Sequence, residues 1–159
     1  MNSPSSPRRP RKFLVVVDKS PECKVALRFA TRRAMATGGR VSLLCVASPA
    51  DFQQWRGVEE IMKDEAYQEA ESLIYEAAKA VNELSGIICE LVITDGRPAE
   101  CLLEFLKTDR DISILVLAAS IAKEGPGPLV SMVAGASQYP IPVTIVPGNL
   151  SDADIDELA

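Results

Sequence analysis

Short apolar runs, separated by segments with the signals of helices, limit the possible folds of this chain more than any other feature. Residues 13–17 and 112–118 contain almost only aliphatic and other apolar side chains. Runs of this kind are typical of strands buried on both faces, as in parallel sheets with helices on each side. The alternation of such runs with helical patterns along the whole chain therefore predicts a single α/β domain built on a parallel sheet.

The first third of the chain has the clearest strand–helix–strand pattern. After the apolar run at 13–17, Ser20 is a suitable N-cap and Pro21 suits the first position of a helix. The helical pattern continues to Thr37 and stops at two glycines, and the run at 41–47 follows as a second strand. Elements in this order predict a right-handed crossover.

The rest of the chain continues the alternation. Residues 48–57 predict a loop that contains Pro49, Trp55 and Gly57, and residues 94–98 predict a turn. The other predicted elements are a helix at 58–84, a strand at 87–93, a short helix that ends near 109–110, a strand at 112–118, a helix at 129–138 and a strand at 143–146. The prolines beside the last strand favour a position at the edge of the sheet.

Composition and charge exclude several classes of function. The 159 residues suffice for one domain, and the formal net charge of −5 argues against nonspecific binding of nucleic acid. No apolar run approaches the roughly 20 residues that span a membrane, and no secretory signal is recognisable, so we expect a cytoplasmic protein without membrane association. Histidine is absent and the four cysteines are dispersed, which argues against a metal site and against histidine-dependent catalysis.

The segment EGPGPLVS, residues 124–131, has features of an anion site. It lies between a predicted strand and a predicted helix, where backbone N–H groups and the helix dipole favour negative charge. It contains no Gly-Lys-Ser or Gly-Lys-Thr and is not a P-loop. The alternative interpretation, which the residues alone favour, is a stiff turn before a helix. Because the two prolines lack an N–H, the available donors are the amides of Gly125, Gly127, Leu129, Val130 and Ser131.

Asp18 follows the first strand, at the end where open parallel sheets bind ligands. Its carboxylate is suited to accept a hydrogen bond from a ribose hydroxyl or an amino group. It is equally suited to form the turn ahead of the first helix. Its position in the sequence leaves both interpretations open.

Five segments together resemble the universal stress protein family. They are FLVVVDKSPECKVALRFA at the first strand and helix, VSLLCVASP at the second strand, DGRPAECLLEF at a turn and helix, ISILVLAAS at the fourth strand and YPIPVTIVPG at the last strand. The resemblance covers about residues 12–148, in the order of the family. Outside it, we predict a disordered basic tail at residues 1–11 and a C-terminal tail with one turn of helix at residues 149–159.

Membership of this family implies an open five-stranded parallel sheet with helices on both faces, of the Rossmann-like, adenine nucleotide alpha hydrolase-like type. It also implies a homodimer, often paired through the last strand, which here runs from Val143 to Val146. Members of one branch bind ATP at the strand ends. Carried over by position, the nucleoside would contact the ends of the first, second and fourth strands, at Val17, Asp18, Val46, Leu117 and Ala118.

The glycine motif of the ATP-binding members is not preserved in this chain. Their motif is Gly-x2-Gly, then nine residues, then Gly-Ser or Gly-Thr. Ala118 or Ala119 stands where the first glycine is expected, and Ile121 or Ala122 stands where the second is expected. A methyl group at such positions obstructs the approach of the backbone to phosphate. The resemblance therefore implies a triphosphate grip that is altered or lost.

The sequence supports two hypotheses about function. In the first, the protein is a regulatory module of the stress response with a degenerate site for an adenine nucleotide, ATP or AMP, or for another anion. In the second, it is a homodimeric stress-response adaptor that binds no nucleotide and acts through an unidentified protein partner. Under neither hypothesis do we expect an enzyme, because the chain contains no histidine and no convincing general base. The first hypothesis leaves slow hydrolysis of ATP open.

Overall fold

The computed structural model describes residues 9–47, 59–135 and 139–159, without the side chains of residues 59–63. Three parts of the sequence predictions lie outside these residues. They are the first eight residues of the basic tail, the loop at 48–57 with the first residue of the helix after it, and the last three residues of the helix predicted at 129–138. In the described ranges, no helix combines the length and the apolar character needed to cross a membrane.

Strands and helices alternate along the described chain. All neighbouring strands pair in parallel, in the order β3-β2-β1-β4-β5, with β5 at one edge. The helices cover both faces, so the predicted open five-stranded parallel sheet is confirmed. The elements are β1 (Lys12–Val16), α1 (Cys23–Thr37), β2 (Arg40–Ala47), α2 (Glu59–Ser85), β3 (Glu90–Asp95), α3 (Pro98–Thr108), β4 (Ile114–Ala119), α4 (Pro128–Gly135), β5 (Val143–Pro147) and α5 (Asp152–Leu158).

The strands contribute to two hydrophobic cores, one on each face of the sheet. On one face, Phe13 and Val15 of β1 pack with the buried sides of α1, α2 and α5. On the other face, Leu14 packs with Leu102 of α3 and Leu115 of β4. Because successive strand residues point to opposite faces, burial on both sides requires the nearly uninterrupted apolar runs of the sequence.

The order of the strands creates a crevice at the carboxyl ends of β1 and β4. From β1 the chain crosses to β2 and then outward to β3, whereas β4 lies on the other side of β1 and leads outward to β5. The helix after β1 covers one face of the sheet and the helix after β4 covers the other. The two strand ends are therefore left uncovered between them, at the point where open α/β sheets bind ligands.

The first helix begins later than predicted, and Ser20 is not its N-cap. Helix α1 starts at Cys23, and its N-cap residue, Glu22, makes no side-chain capping hydrogen bond. Both the hydroxyl and the N–H of Ser20 donate to the carboxylate of Asp18 instead, at 2.5 and 2.9 Å. This local hydrogen bonding competes with helix capping for the serine side chain. The other end is as predicted, because Gly38 closes the helix in the left-handed region, at φ 65°.

The third strand is shifted relative to the prediction. The apolar run predicts a strand at 87–93, whereas β3 spans Glu90–Asp95. The strand therefore includes two residues of the turn predicted at 94–98. Its pairing partner decides the boundary, because β2 continues to Ala47 and pairs there with the last residue of β3. The pairing register of β3 with β2 cannot be predicted from a local pattern of apolar residues.

The C-terminal segment, predicted as a tail with one turn of helix, packs against the domain. It forms α5, which begins with Ser151 as N-cap and a capping box. Ile155 is completely buried, and the carboxylate of Asp156 accepts hydrogen bonds from the guanidinium groups of Arg28 and Arg32. These hydrogen bonds, that of Arg28 above all, lower the pKa of Asp156 to about 2. The sequence did not reveal this packing because the arginines precede Asp156 by 128 and 124 residues.

Candidate functional site

A small cleft opens at the carboxyl ends of β1 and β4, next to the first residues of α4. It encloses about 60 Å³, far below the ~300–1,000 Å³ of a pocket that surrounds a whole small molecule. The cleft can therefore enclose only one small chemical group. Its lining comes from the end of β1, the start of α1, the end of β4 and the segment that begins α4: Val16, Asp18, Ser20, Glu22, Cys23, Ala26, Leu117, Ala118, Pro126, Gly127, Pro128, Leu129 and Val130.

Six of the residues predicted for the site line this cleft, and four do not. Val17 is buried in the core under α1 and α2, because neighbouring strand residues point to opposite faces. Val46 is half-buried and packs against the core under α3. Gly125 and Ser131 belong to the same loop and helix but lie outside the lining. The six in the lining are Asp18, Leu117, Ala118, Gly127, Leu129 and Val130.

The sequence interpretation missed part of the lining. Cys23 and Ala26 of α1 contribute to one wall, and Glu22 lies beside them. The two α1 residues are three positions apart and share one face of the helix. That spacing was the available signal, although it indicates a buried helix face as readily as a site.

Asp18 forms the turn after β1 and still faces the cleft. Its Oδ1 atom accepts hydrogen bonds from the N–H and the hydroxyl of Ser20. The Asp18 side chain is exposed and lines the cleft. Within the described chain, the hydrogen bonds of this carboxylate involve only Oδ1. The second oxygen is therefore available to accept a ligand hydroxyl without loss of the turn.

The loop before α4 folds back onto the end of β4. The carbonyl of Pro126 accepts the N–H of Ser120 at 2.9 Å, and the N–H of Gly125 donates to a carbonyl three residues earlier at 3.2 Å. Gly125 and Gly127 have φ angles of 110° and 103°, a region that favours glycine. Pro128 is the first residue of α4, where a helix needs no N–H. Pro126 thus provides a hydrogen-bond acceptor and Pro128 begins the helix. The loop has the structure of a turn, as the alternative interpretation predicts.

At the start of α4, three backbone N–H groups have no acceptor within the described part of the chain. The N–H of Ser131 donates to the carbonyl of Gly127 at 3.0 Å, and that of Gly125 is used within the loop. Both are occupied, contrary to the prediction that all five amides are available. The amides of Gly127, Leu129 and Val130 have no acceptor among residues 9–47, 59–135 and 139–159. All three residues line the cleft, so free donors and the positive end of a helix dipole lie at one wall.

Negative charge borders the other side of the cleft. Asp18 and Glu22 both contribute to the lining. Lys19, the cation next to Asp18 in sequence, is turned toward α2, where its ammonium group pairs with Glu69. The cleft therefore offers neutral N–H donors at one wall and carboxylates at the other, and none of the described residues that line it has a cationic side chain.

Burial keeps the thiol at the wall of the cleft unreactive. Burial raises the pKa of the Cys23 thiol to about 11, and its Sγ atom donates to the carbonyl of Val16 at 3.8 Å. The thiol is protonated near neutral pH and is a poor nucleophile. In the part of the chain that the structure describes, no three carboxylate or thiol groups converge in a way that could hold a metal ion.

The family model of the universal stress protein family matches residues 10–147. The chain belongs to the universal stress protein family. The match includes all five strands of the sheet and confirms the resemblance seen in the sequence. A search of curated protein sequences finds no match.

Solved structures of universal stress proteins share this fold. The universal stress protein UspA from Lactobacillus plantarum is 19% identical, with a TM-score of 0.73, over 87% of this chain and 99% of that one. A universal stress protein family protein from Arabidopsis thaliana with AMP bound is 18% identical, with a TM-score of 0.62, over 91% and 99% of the two chains. The universal stress protein from Archaeoglobus fulgidus in complex with dAMP is 21% identical, with a TM-score of 0.59, over 87% and 98%. At these identities the likeness shows a common fold.

Proposed function

We propose that this universal stress protein is a cytoplasmic regulatory module of the stress response that binds an adenine nucleotide through a single phosphate, with AMP preferred over ATP. The observation that carries the proposal is the set of three free amides at the start of α4, beside a cleft that encloses only one small group. Neighbouring structures with bound AMP, cAMP and dAMP support it, because each of these ligands has one phosphate.

The phosphate would be held by the backbone at the start of α4. The N–H groups of Gly127, Leu129 and Val130 would donate to its oxygens, and the helix dipole adds a favourable potential. Each hydrogen bond to a charged group contributes ~1.5–3 kcal/mol. Three such bonds total ~4.5–9 kcal/mol, and once at least ~4 kcal/mol for the loss of ligand freedom is subtracted they alone give about millimolar affinity at best, so tighter binding requires contacts with the nucleoside.

Longer phosphate chains are disfavoured by charge. Asp18 and Glu22 border the cleft, and two unit charges about 4 Å apart interact by ~1 kcal/mol even in water. ATP carries more negative charge than AMP toward the same two carboxylates. Ala118 lies at the end of β4, where ATP-binding members have glycine, so the backbone cannot approach additional phosphates closely.

The nucleoside part would contact the turn after β1. The Oδ2 atom of Asp18 would accept a hydrogen bond from a ribose hydroxyl, while Oδ1 keeps its bonds to Ser20. The thiol of Cys23 is protonated and no histidine is present, so the bound nucleotide has no strong nucleophile beside it. In this proposal the nucleotide acts as a signal and is not a substrate.

Binding of AMP should raise the melting temperature of the protein, and the substitution Gly127→Ala should weaken the binding of AMP. Alanine retains the backbone N–H but is strained at the φ of 103° found at Gly127, so the segment should shift and turn this N–H away from the phosphate. The loss of that one hydrogen bond corresponds to about a tenfold increase in Kd. The measurement is calorimetric titration with AMP, ADP, ATP and inorganic phosphate, together with thermal unfolding at saturating ligand. Asp18→Asn keeps an oxygen for the turn and replaces the second acceptor, so it should weaken AMP but not inorganic phosphate.

Gly125→Ala is the matched control for Gly127→Ala. Both glycines have positive φ angles and open space around a Cβ atom, so the backbone strain of the two substitutions is similar. Of these two glycines, Gly127 lines the cleft and has an N–H without an acceptor among the described residues, whereas Gly125 lies outside the lining and its N–H is bonded within the loop. Equal loss of AMP affinity in the two variants would contradict the assigned phosphate position. No heat and no thermal shift with any of these ligands at millimolar concentration would rule out the proposal.

The adaptor hypothesis is the second candidate, and the edge strand β5 favours it. In the sheet formed by the described residues, strand β5 pairs only with β4, and Ile145 is 41% exposed on it. An unpaired strand edge with an exposed isoleucine is a suitable surface for pairing with a second copy. In this hypothesis the homodimer, joined through Val143 to Val146, recruits a protein partner without nucleotide.

Light scattering after size exclusion should give the mass of a dimer at micromolar concentration, and Ile145→Lys should convert it to a monomer. A lysine at the contact leaves a charge without a partner in a buried interface. Ile88→Lys is the matched control, because Ile88 is 88% exposed just before β3, at the other edge of the sheet. A monomeric wild type, or disruption by the control alone, would contradict pairing through β5.

A further inference from the structure

A second concavity lies at the β3 edge of the sheet, between β3 and α3. Its volume is about 570 Å³, and it shares no lining residue with the cleft. Val92 of β3 and Phe105 of α3 provide apolar surface, and Glu104 lies on the α3 side. We call this concavity the β3–α3 groove. It has the volume of a ligand site, and the proposed nucleotide site makes no use of it.

The groove contains hydrogen-bonding groups that the described chain leaves without partners. The hydroxyl oxygen of Thr94 is buried in the groove wall and has no hydrogen-bond partner among the described residues. Strand β3 pairs with β2 alone in the described sheet, so its outer edge presents free backbone groups. A buried polar atom without a partner costs ~1–3 kcal/mol, which favours an occupant that can bond to it.

The charged side chains that line the groove are all negative. The described residues that line it include three carboxylates and no cationic side chain. Glu100 is 3.7 Å from the guanidinium group of Arg97, in an exposed ion pair. Asp95 and Glu104 have no such partner within the described residues. The groove therefore suits an occupant that combines apolar surface with positive charge.

The N-terminal segment of this chain has that chemistry. Prolines occupy positions 4, 7 and 10, and Arg8 and Arg9 lie between the last two. A polyproline II helix has three residues per turn, so prolines at this spacing share one face. Proline-rich segments bind grooves through such a face, against aromatic side chains, and arginines beside the prolines can pair with carboxylates on the groove wall.

The described chain begins at Arg9, next to the end of the groove, so residues 1–8 are attached close to it. The guanidinium group of Arg9 donates to the carboxylate of Asp111 at 2.9 Å, close in sequence to Thr108, the groove residue at the end of α3. In a polyproline II helix, residues 1–8 would span ~25 Å. The path along α3 from Thr108 back to Cys101 is only ~10 Å. The segment is therefore long enough to follow the whole groove.

From these observations we propose that residues 1–8 bind in the β3–α3 groove of the same molecule. The prolines lie against Phe105 and Val92, and Arg8 pairs with Glu104. Occupation of the groove covers its apolar surface and one edge of the sheet. The binding is independent of the nucleotide cleft, so each proposal can fail without the other.

A disulfide between Ser3→Cys and the native Cys101 tests the proposal in the full chain. Cys101 lines the groove, and oxidation by glutathione disulfide joins the two thiols while the glutathione is reduced. A tethered segment has an effective concentration on the order of millimolar, so a bond within one chain is expected at micromolar protein. Peptide mass mapping identifies the pair, and Glu104→Lys should slow its formation.

A control position on α3 separates binding from random encounter. Lys107→Cys, combined with Cys101→Ser and Ser3→Cys, places the second thiol on an exposed part of α3 outside the lining and nearer to Asp111. A segment held in the groove reacts faster with Cys101, whereas a freely moving one reacts faster with the nearer, exposed thiol. The second result, or disulfides only between two chains, would overturn the proposal.

Hydrogen exchange gives a measurement without new cysteines. Deletion of residues 2–8 should accelerate amide exchange in β3 and α3, because the groove and the strand edge become exposed to water. Exchange in α4 should stay as in the full chain. Unchanged exchange in β3 and α3 would contradict the proposed position of the segment, whether or not AMP binds.

Discussion

Gly148→Ala is expected to lower the free energy of unfolding by about 3 kcal/mol, because the added methyl group has no space. A Cβ atom on Gly148 would lie 2.3 Å from the carbonyl oxygen of Ala119 and 3.0 Å from the Cβ atom of Glu22. The N–H of Gly148 donates to the same carbonyl at 3.0 Å, so the backbone cannot move away without losing that hydrogen bond. Strain at this point also reaches the cleft, since Glu22 lines it.

Urea unfolding of wild type and variant measures this effect. Gly135→Ala is the control, because a Cβ atom at Gly135 has no neighbour within 4 Å. At the end of a helix alanine is at least as favourable as glycine, so the control should keep wild-type stability within about 0.5 kcal/mol. If Gly148→Ala were as stable as the control, the contact with the end of β4 would have to be looser than the structure indicates.

Asp109→Asn is expected to cost about 2 kcal/mol at pH 7, because it leaves a buried ammonium group with one partly exposed partner. The side chain of Lys12 is only 4% exposed, and it pairs with Asp109 at 2.5 Å and with Glu90. Burial lowers the pKa of Lys12, but its hydrogen bonds to Asp109 and Glu90 outweigh burial and raise the pKa above the usual value. Asparagine keeps the size of the side chain and removes the charge.

The effect of Asp109→Asn should depend on pH at both ends of the range. Burial raises the pKa of Asp109, but the hydrogen bonds from Lys12 and from the backbone of Asp111 outweigh it and lower the pKa below the usual value. The stabilisation that ionised Asp109 contributes is therefore complete above the pKa of about 3.9 that this carboxyl has in the unfolded chain. It is lost as the pH falls through the lower pKa that the carboxyl has in the folded protein. The pKa of Lys12 is raised in the folded protein, so the stabilisation that its ammonium group contributes is fully present below the unfolded pKa of about 10.4. This contribution is lost as the pH rises through the folded pKa. The stability difference between wild type and variant should thus be constant near neutrality and shrink toward both extremes.

Asp111→Asn is the matched control for the charge. Asp111 pairs with Arg9 at 2.9 Å, but the two side chains are 47% and 85% exposed. Exposed pairs contribute ~0–1 kcal/mol and are screened by salt. Unfolding in urea from about pH 2 to about pH 12 compares the two variants, so that the range extends beyond the unfolded pKa values at both ends. Equal small losses for both would show that the Lys12 cluster is better solvated than its burial indicates.

Most of the fold was contained in local patterns of the sequence. The apolar runs predict strands buried on both faces, and glycines such as Gly38 mark the ends of helices correctly. Ser20 shows the limit of such patterns, because a serine before a proline suits an N-cap but bonds to Asp18 here. Local preferences are weak, and a nearby carboxylate is enough to redirect a side chain.

The candidate site was predictable in position but not in detail. The order of motifs located it at the ends of β1 and β4, and the structure places Asp18 beside Gly127 and Leu129 in one cleft. Which amides are free could not be read from the sequence, since Ser131 lies in the same segment but its N–H is used within the turn. Val17 lies next to Asp18 in sequence yet points into the core.

The sequence by itself determined the fold class and the succession of strands and helices, because the periodicity of apolar residues is a local property. The tertiary structure alone decided the contacts between distant segments. Examples are the register of β3 against β2, the packing of Ile155 under α1, and the approach of Gly148 to Ala119. Such contacts depend on how helices and strands fill a common core, and no local pattern specifies which side chains will meet there.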